Sequence, residues 1–347
     1  MVGLIRTGVI GFGVSGRVFH APFLACDPAY SLDVVVTSDA DRAAQAHATY
    51  PDVTVVDSAD ELFARADDLD LVVIGTPPQT HVELASRALD AGLHVVVDKP
   101  FAPTSSQASA LIEHADRAGR LLTVFHNRRW DSDFRTLRRL VEEGRLGQVH
   151  TFESRFETWK PRGPRSWKAD TPIADGGGIL FDLGTHLIDQ AIQLFGEVEH
   201  VWADAARRTP GLAADDDTLV VLNHRSGTRS QLFMSSLAAL PGPRFHVLGS
   251  RAAYTKWGFD PQETALRAGA LPTDDGYGHE HSEAWGVLGV ADEARRVESD
   301  RGSYDEFYRV LARAIAGEDE VPVDPRDAVE VLAVIEQAHR LSEARQL

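Results

Sequence analysis

Over its first 126 residues the chain repeats one pattern, a short β-branched run followed by a stretch of helical periodicity. The runs are IRTGVIG (5–11), LDVVVT (32–37), VTVV (53–56), LDLVVIG (69–75), HVVVD (94–98) and LLTVFH (121–126). They are almost continuously apolar, which is how strands of a parallel sheet covered on both faces read. Ser58 with Glu61, and Thr80 with Glu83, have capping-box spacing and start two of the helices between them. Gly92 stops one of those helices. Short connections make each strand–helix–strand unit a right-handed crossover, so the pattern folds as a doubly wound Rossmann-type sheet, an α/β class.

Past about residue 125 the texture changes. DSDFRTLRRLVEEG (131–144) is a helix, followed by longer alternating stretches at 147–159, 198–208, 216–236 and 244–258. The turns at Ser226–Gly227 and Gly249–Ser250 read as hairpins. Period-two alternation predicts a large, mostly antiparallel open sheet with one face on helices, its other face solvated or against a second subunit. Residues 323–344 form a closing helix. A length of 347 residues exceeds a single core, and the change of texture divides the chain into 1–124 and 125–347, the second an α+β domain.

The net charge of −17 argues against nucleic acid or an anionic membrane as a partner, since both need a basic face. No apolar run approaches a membrane span, and the start of the chain lacks a signal-peptide pattern. The single cysteine, Cys26, excludes an internal disulfide and thiolate-rich metal sites, and fits a reducing cytoplasmic setting.

The first strand runs into GFGVSG, where Gly11, Gly13 and Gly16 have the G-x-G-x-x-G spacing. Such glycines permit a tight turn and close backbone approach to a pyrophosphate, with Val14 and Ser15 between them and a helix N-terminus beyond. The second strand ends in Thr37–Ser38 rather than a carboxylate, with Asp39 next and Arg42 just beyond. Ser38 and Arg42 suit a 2′-phosphate, so NADP is the expected cofactor. Asp39 keeps NAD open, although helix capping also explains it.

Only four of the 35 basic residues are lysines: Lys99, Lys160, Lys168 and Lys256. Lys99 follows Asp98 at the carboxyl end of the fifth strand, the edge at which a parallel sheet binds ligands. The fourth strand ends there in GTPPQTH (75–81), whose prolines keep the loop out of helix. Thr76, Pro77, His81, Asp98 and Lys99 are therefore expected at the nicotinamide half of the cofactor. An amine there can polarise a carbonyl or shuttle a proton, and partial burial would lower its pKa. A surface pair with Asp98 is the plain alternative.

A second constellation is DGGGILFDLGTHLIDQAIQLFG (175–196), in which Asp182, His186 and Asp189 share one helix face by spacing. A carboxylate one turn before a histidine can hold it as a general base. A core histidine also fits the pattern, and metal binding lacks a further ligand-rich segment.

In this order and at these separations, GFGVSG, GTPPQTH, DKP and GGGILFDLGTHLIDQ resemble the glucose–fructose oxidoreductase / inositol dehydrogenase / rhizopine catabolism (Gfo/Idh/MocA) family over almost the whole chain. GRVFHAPFL, NRRWDSDF and GFDPQE are similar to the branch of NADP-dependent scyllo-inositol dehydrogenases. The resemblance implies a homodimer or homotetramer joined through the C-terminal sheet, with catalytic Lys99, Asp182 and His186. Two positions depart from the family pattern: Asp98 stands for the usual Glu, and Trp167–Lys168 for a Trp–Arg that touches the cofactor.

The expected reaction passes a hydride from a secondary hydroxyl of a sugar or polyol to the nicotinamide, with His186 taking the proton and Lys99 orienting the oxygen. Arg128, Trp130, Asp131, Arg165, Trp167 and Asp189 are candidates for reading substrate hydroxyls, although core and surface roles explain most of them. Two other functions fit the same fold: a hydrolase or lyase using tightly held NAD for transient oxidation, and a non-catalytic NAD(P) sensor.

Overall fold

The computed structural model describes residues 3–161 and 170–346; Arg165, Trp167 and Lys168 lie outside the described residues. Contacts group the chain into two units. The first runs as far as Asn127 and takes back Gln262–Tyr277 and Ser303–Val329, while the second comprises Arg128–Pro261, Gly278–Gly302 and the chain from Glu330. The expected division at 124/125 sits near the first of these crossings, and the two returning segments have no counterpart in it.

The first unit is built on six strands: β1 (Ile5–Ile10), β2 (Tyr30–Val36), β3 (Thr54–Val56), β4 (Leu71–Ile74), β5 (His94–Asp98) and β6 (Leu122–Phe125). All pair in parallel in the order β3-β2-β1-β4-β5-β6. The winding reverses between β1 and β4, and such a reversal opens a crevice beyond the carboxyl ends of the strands. The strands hold that edge firmly because Leu71–Ile74 and Val95–Val97 are buried without interruption. The helix Asp305–Ile315 returns to this unit as an aromatic plug: Tyr308 stacks on Phe23 at 6.0 Å and meets Tyr30 edge-on at 5.7 Å. Thr123 Oγ1 also donates to Val323 O at 2.7 Å.

The second unit carries eight strands: β7 (Val149–Glu157), β8 (Val198–Ala206), β9 (Asp217–His224), β10 (Arg229–Ser235), β11 (Phe245–Gly249), β12 (Ala253–Lys256), β13 (Val287–Gly289) and β14 (Arg295–Arg296). Their order is β14-β13-β12-β11-β7-β10-β9-β8, antiparallel except for the β7–β10 pair. Alternation divides its faces as the sequence predicts. Phe152, Val220, Leu222, Leu232, Met234 and Phe245 are buried, and the helix Thr185–Phe195 packs on β7 and β10. On the opposite face Arg155 lies over the Phe233 ring at 4.2 Å. No described helix is long and apolar enough to cross a membrane.

Candidate active site

Strand β1 runs directly into the glycine turn. Gly16 is required there by space, since a Cβ on it would stand 2.1 Å from the Gly11 carbonyl oxygen. The chain that follows opens as a widened turn, Ser15–His20, and tightens into an α-helix only at Ala21–Cys26. Pro22 explains the widening: it offers no N–H to the Val18 carbonyl and its ring crowds that oxygen, so a regular ladder cannot pass through. Val14 is exposed at the tip. Ser15 Oγ is buried, with no hydrogen-bond partner among the described residues. A narrow turn lined by main chain, holding an unused hydroxyl, fits the pyrophosphate of a dinucleotide.

Beside this turn, Arg42 reaches over Gly13, its Nη1 3.7 Å from the place a Gly13 Cβ would occupy. Ser38, four residues before Arg42, is exposed. Asp39 caps the helix Ala40–Thr49, its Oδ1 accepting the N–H groups of Asp41 and Arg42 at 3.0 Å each. Its other oxygen lies 3.6 Å from Arg42 Nε.

At the carboxyl edge of β4 and β5, two loops are joined by one side chain. His81 is buried, with Nε2 2.8 Å from Thr76 O and Nδ1 2.9 Å from Pro100 O. Burial pushes its pKa down, opposed by those carbonyls and by Asp98. His81, which the sequence expects at the cofactor, lies between the loops that carry Thr76 and Lys99, its two nitrogens facing one carbonyl from each. Thr80 departs from the expected capping box as well. Its hydroxyl donates to Pro77 O at 2.8 Å and meets Thr76 Oγ1 at 2.6 Å, leaving its helix without a side-chain cap. The prolines do not exclude helix entirely either: Pro78–Thr80 form one 3-10 turn, since proline suits the first turn of a helix.

Lys99 is half-buried at the end of β5, and its N–H donates to Asp98 Oδ1 at 2.7 Å. The other Asp98 oxygen faces His20 Nε2 at 4.0 Å. Lys256 has a different place, fully buried between Glu280 at 2.9 Å and the carbonyls of Trp257 and Ala284.

In the second unit the glycine run enters a widened turn, Leu180–Gly184, that leads into the helix Thr185–Phe195. Gly178, at φ +100°, lies so close to Asp215 that a Cβ would stand 2.2 Å from Oδ1. Asp215 anchors this turn, accepting the N–H of Ile179 through its carbonyl at 2.9 Å and that of Leu180 through Oδ2 at 2.9 Å. Asp182 is half-buried within the turn, while His186 is buried one turn on.

Asp189 is taken up elsewhere. It accepts from Arg129 Nε at 2.9 Å and Nη2 at 2.5 Å, a buried two-pronged pair that locks the helix to the turn Asn127–Trp130. Arg128 is also buried, over the Phe156 ring at 4.7 Å and 3.3 Å from Asp131; Trp130 is half-buried. Sequence reasoning missed the polar girder behind these groups. Arg244, buried, donates to Ser154 Oγ at 2.6 Å and Gln190 Oε1 at 2.7 Å, and lies 3.3 Å from Asp133. Gln190 in turn donates to Arg128 O at 2.9 Å. These residues sit far apart in sequence, so no local pattern signals them. Ser132 N–H, at the start of the helix Ser132–Glu142, is satisfied by Asp260 at 2.7 Å rather than by the neighbouring Asp131 side chain.

Within the first unit, a glycine turn and a cation at the carboxyl edge of a parallel sheet form a chemical set of the nicotinamide-dinucleotide-binding class. Comparison with known proteins gives the same class. The family model described as "Oxidoreductase family, NAD-binding Rossmann fold" matches residues 5–126, and "GFO/IDH/MocA C-terminal domain" matches 134–255. The chain is 42% identical to the uncharacterized oxidoreductase YdgJ of Escherichia coli, over 96% of this chain and 94% of the relative. It is 33% identical to the scyllo-inositol 2-dehydrogenase (NADP(+)) IolW of Bacillus subtilis, over 99% and 95%. The solved structure of yvaA from Bacillus subtilis superposes with a TM-score of 0.93 at 32% identity, covering 99% of this chain and 98% of that one. The chain is therefore a member of the Gfo/Idh/MocA family, an NAD(P)-dependent oxidoreductase of the dehydrogenase type.

Proposed function

We propose that this enzyme oxidises a secondary hydroxyl of a sugar or polyol of the inositol kind, with NADP preferred over NAD. The observation that carries the cofactor preference is Arg42 lying over Gly13 while Asp39 is turned into its helix cap. A guanidinium beside the glycine turn suits a 2′-phosphate, and a carboxylate committed to a helix N-terminus is poorly placed to receive a ribose hydroxyl. The 33% identity to a protein named for scyllo-inositol and NADP supports the substrate class.

Gly11, Gly13, Val14, Ser15 and Gly16 would hold the pyrophosphate, with Ser38 and Arg42 at the adenosine ribose and Thr76, Pro77 and Lys99 at the nicotinamide end. When bound, the nicotinamide supplies the hydride acceptor. His186 takes the hydroxyl proton, Asp182 orients His186 or a neighbouring hydroxyl, and Lys99 orients the substrate oxygen and stabilises charge developing on it. Acid–base assistance of this kind contributes roughly 10²–10⁴-fold. The same reading gives a cytoplasmic enzyme working as a homodimer or homotetramer through the eight-stranded sheet, which light scattering on the purified protein tests.

The deciding experiment measures reduced nicotinamide formed with NADP and with NAD across inositols, aldoses and linear polyols. Turnover faster with NADP, and a preference that falls about tenfold or more in Arg42→Ala, is the expected result. Silence on every substrate, with cofactor retained through purification, would overturn it in favour of internal redox or sensing.

A further inference from the structure

His20 is completely buried beneath the glycine turn, its ring 4.5 Å from that of Phe125, yet no part of the proposed reaction uses it. Its Nδ1 lies 2.6 Å from Tyr308 Oη, and its Nε2 faces Asp98 Oδ2 at 4.0 Å. Tyr308 Oη has no other hydrogen bond among the described residues, while Tyr308 O accepts from Tyr30 Oη at 2.7 Å. Two arguments then fix the ring's tautomer. Among the described residues the phenol proton has only Nδ1 to receive it, which leaves the imidazole proton on Nε2. The reverse assignment would strand the phenol proton and aim a bare Nε2 lone pair at a carboxylate.

We propose that His20 and Tyr308 are positioning residues for Lys99. Tyr308 holds the imidazole with its proton on Nε2, and that N–H draws one Asp98 oxygen inward so that the other receives the Lys99 main-chain N–H. The contact is electrostatic rather than a closed hydrogen bond at 4.0 Å, and with His20 fully buried and Asp98 18% exposed it is screened less than a surface pair. Asp98 is thus held from both sides: by His20 beneath and by the turn into Lys99 and Pro100 above. The arrangement sets where the amine leaves the strand. Its catalytic meaning rests on the role proposed for Lys99, but the relay itself does not.

Three measurements on the 347-residue chain test the relay. The solid-state ¹⁵N spectrum of histidine-labelled protein, with His20 assigned by the signal lost in His20→Gln, should show a neutral ring protonated on Nε2 at neutral pH. A proton on Nδ1, or a charged ring, overturns the proposal. Second, the chain has only four lysines, so reductive ¹³C-methylation gives few signals and Lys99→Arg identifies the Lys99 one. That signal should shift in His20→Asn and Tyr308→Phe but not in His20→Gln, whose amide nitrogen reaches the place of Nε2. A signal unmoved in all three overturns the proposal, and Tyr308→Phe still decides it if His20→Asn does not fold. Third, with scyllo-inositol and NADP, kcat should fall about tenfold in His20→Asn with the NADP KM unchanged, a loss of about 1.4 kcal/mol in transition-state positioning. No turnover by the unmodified enzyme on any hydroxyl substrate would sink the dehydrogenase reading alone, because the two spectra decide the relay without it.

Discussion

Replacing Asp189 by Asn separates a structural carboxylate from a substrate-reading one. The substitution keeps volume and one acceptor oxygen, so what it removes is the charge facing Arg129. The two side chains are 9% and 2% exposed, and the guanidinium meets the carboxylate through both Nε and Nη2. Removing one partner of a buried pair costs about 3–5 kcal/mol, which at about 2 °C per kcal/mol for a chain of this size lowers the thermal midpoint by roughly 6–10 °C. Replacing both partners together, Arg129→Met with Asp189→Leu, leaves neither half of the pair behind and should cost less than Asp189→Asn alone. Differential scanning fluorimetry and urea titration measure both variants. If Asp189→Asn left the midpoint unchanged while abolishing turnover, the carboxylate would be acting on substrate and the pairing argument would be wrong. A double variant as unstable as the single one would refute the charge argument too.

Lys99→Arg keeps the positive charge but gives up a compact amine that can release a proton, so kcat should fall by roughly 10² or more with the thermal midpoint intact; full turnover would refute its role. Gly16→Ala sets a methyl 2.1 Å from the Gly11 carbonyl oxygen, which should cost about 1–3 kcal/mol and weaken NADPH binding in a fluorescence titration. Unchanged affinity would mean that the turn can open. Burial lowers the His20 pKa from 6.5 to about 4, with Asp98 opposing. A depressed folded value means the unfolded chain binds the proton more readily. The stability contribution is therefore full above about pH 6.5 and lost as pH falls towards 4, roughly 3 kcal/mol in all. Urea midpoints should show this acid loss in the native protein and less of it in His20→Gln; equal slopes would refute it.

The parts of the fold legible in the sequence are those whose physics is local. Parallel strands buried on both faces read as apolar runs, so β1 to β6 lie where the valines and isoleucines cluster. The glycine turn and the Lys99 strand end were equally plain, because the order of strands fixes which edge binds. What escaped depends on atoms brought together from afar. Nothing near Asp189 announces Arg129, and nothing near Gly178 announces Asp215. The helix Asp305–Ile315 has an ordinary amphipathic pattern that does not say which sheet it covers. Spacing arguments also assumed regular helices, whereas widened turns at Ser15–His20 and Leu180–Gly184 reset the phase just where the candidate residues begin. Thr80 shows the same limit on a small scale, its hydroxyl preferring Pro77 O to a helix N–H.

The return of Ser303–Val329 to the first unit bears on how the protein is made. A ribosome delivers the six parallel strands well before it delivers Tyr308 and Phe307. With residues 128–307 still to come, the interval is roughly 10–40 s at about 5–20 residues per second. Throughout it Phe23, Tyr30 and Phe125 lack the aromatic plug that covers them in the finished unit. The nascent nucleotide-binding half therefore exposes apolar surface of the kind holdase chaperones bind, and slow passage through the second half of the message prolongs that exposure. A gene fragment ending near Asn127 would encode every strand of the first sheet and still yield an incomplete core, prone to aggregate.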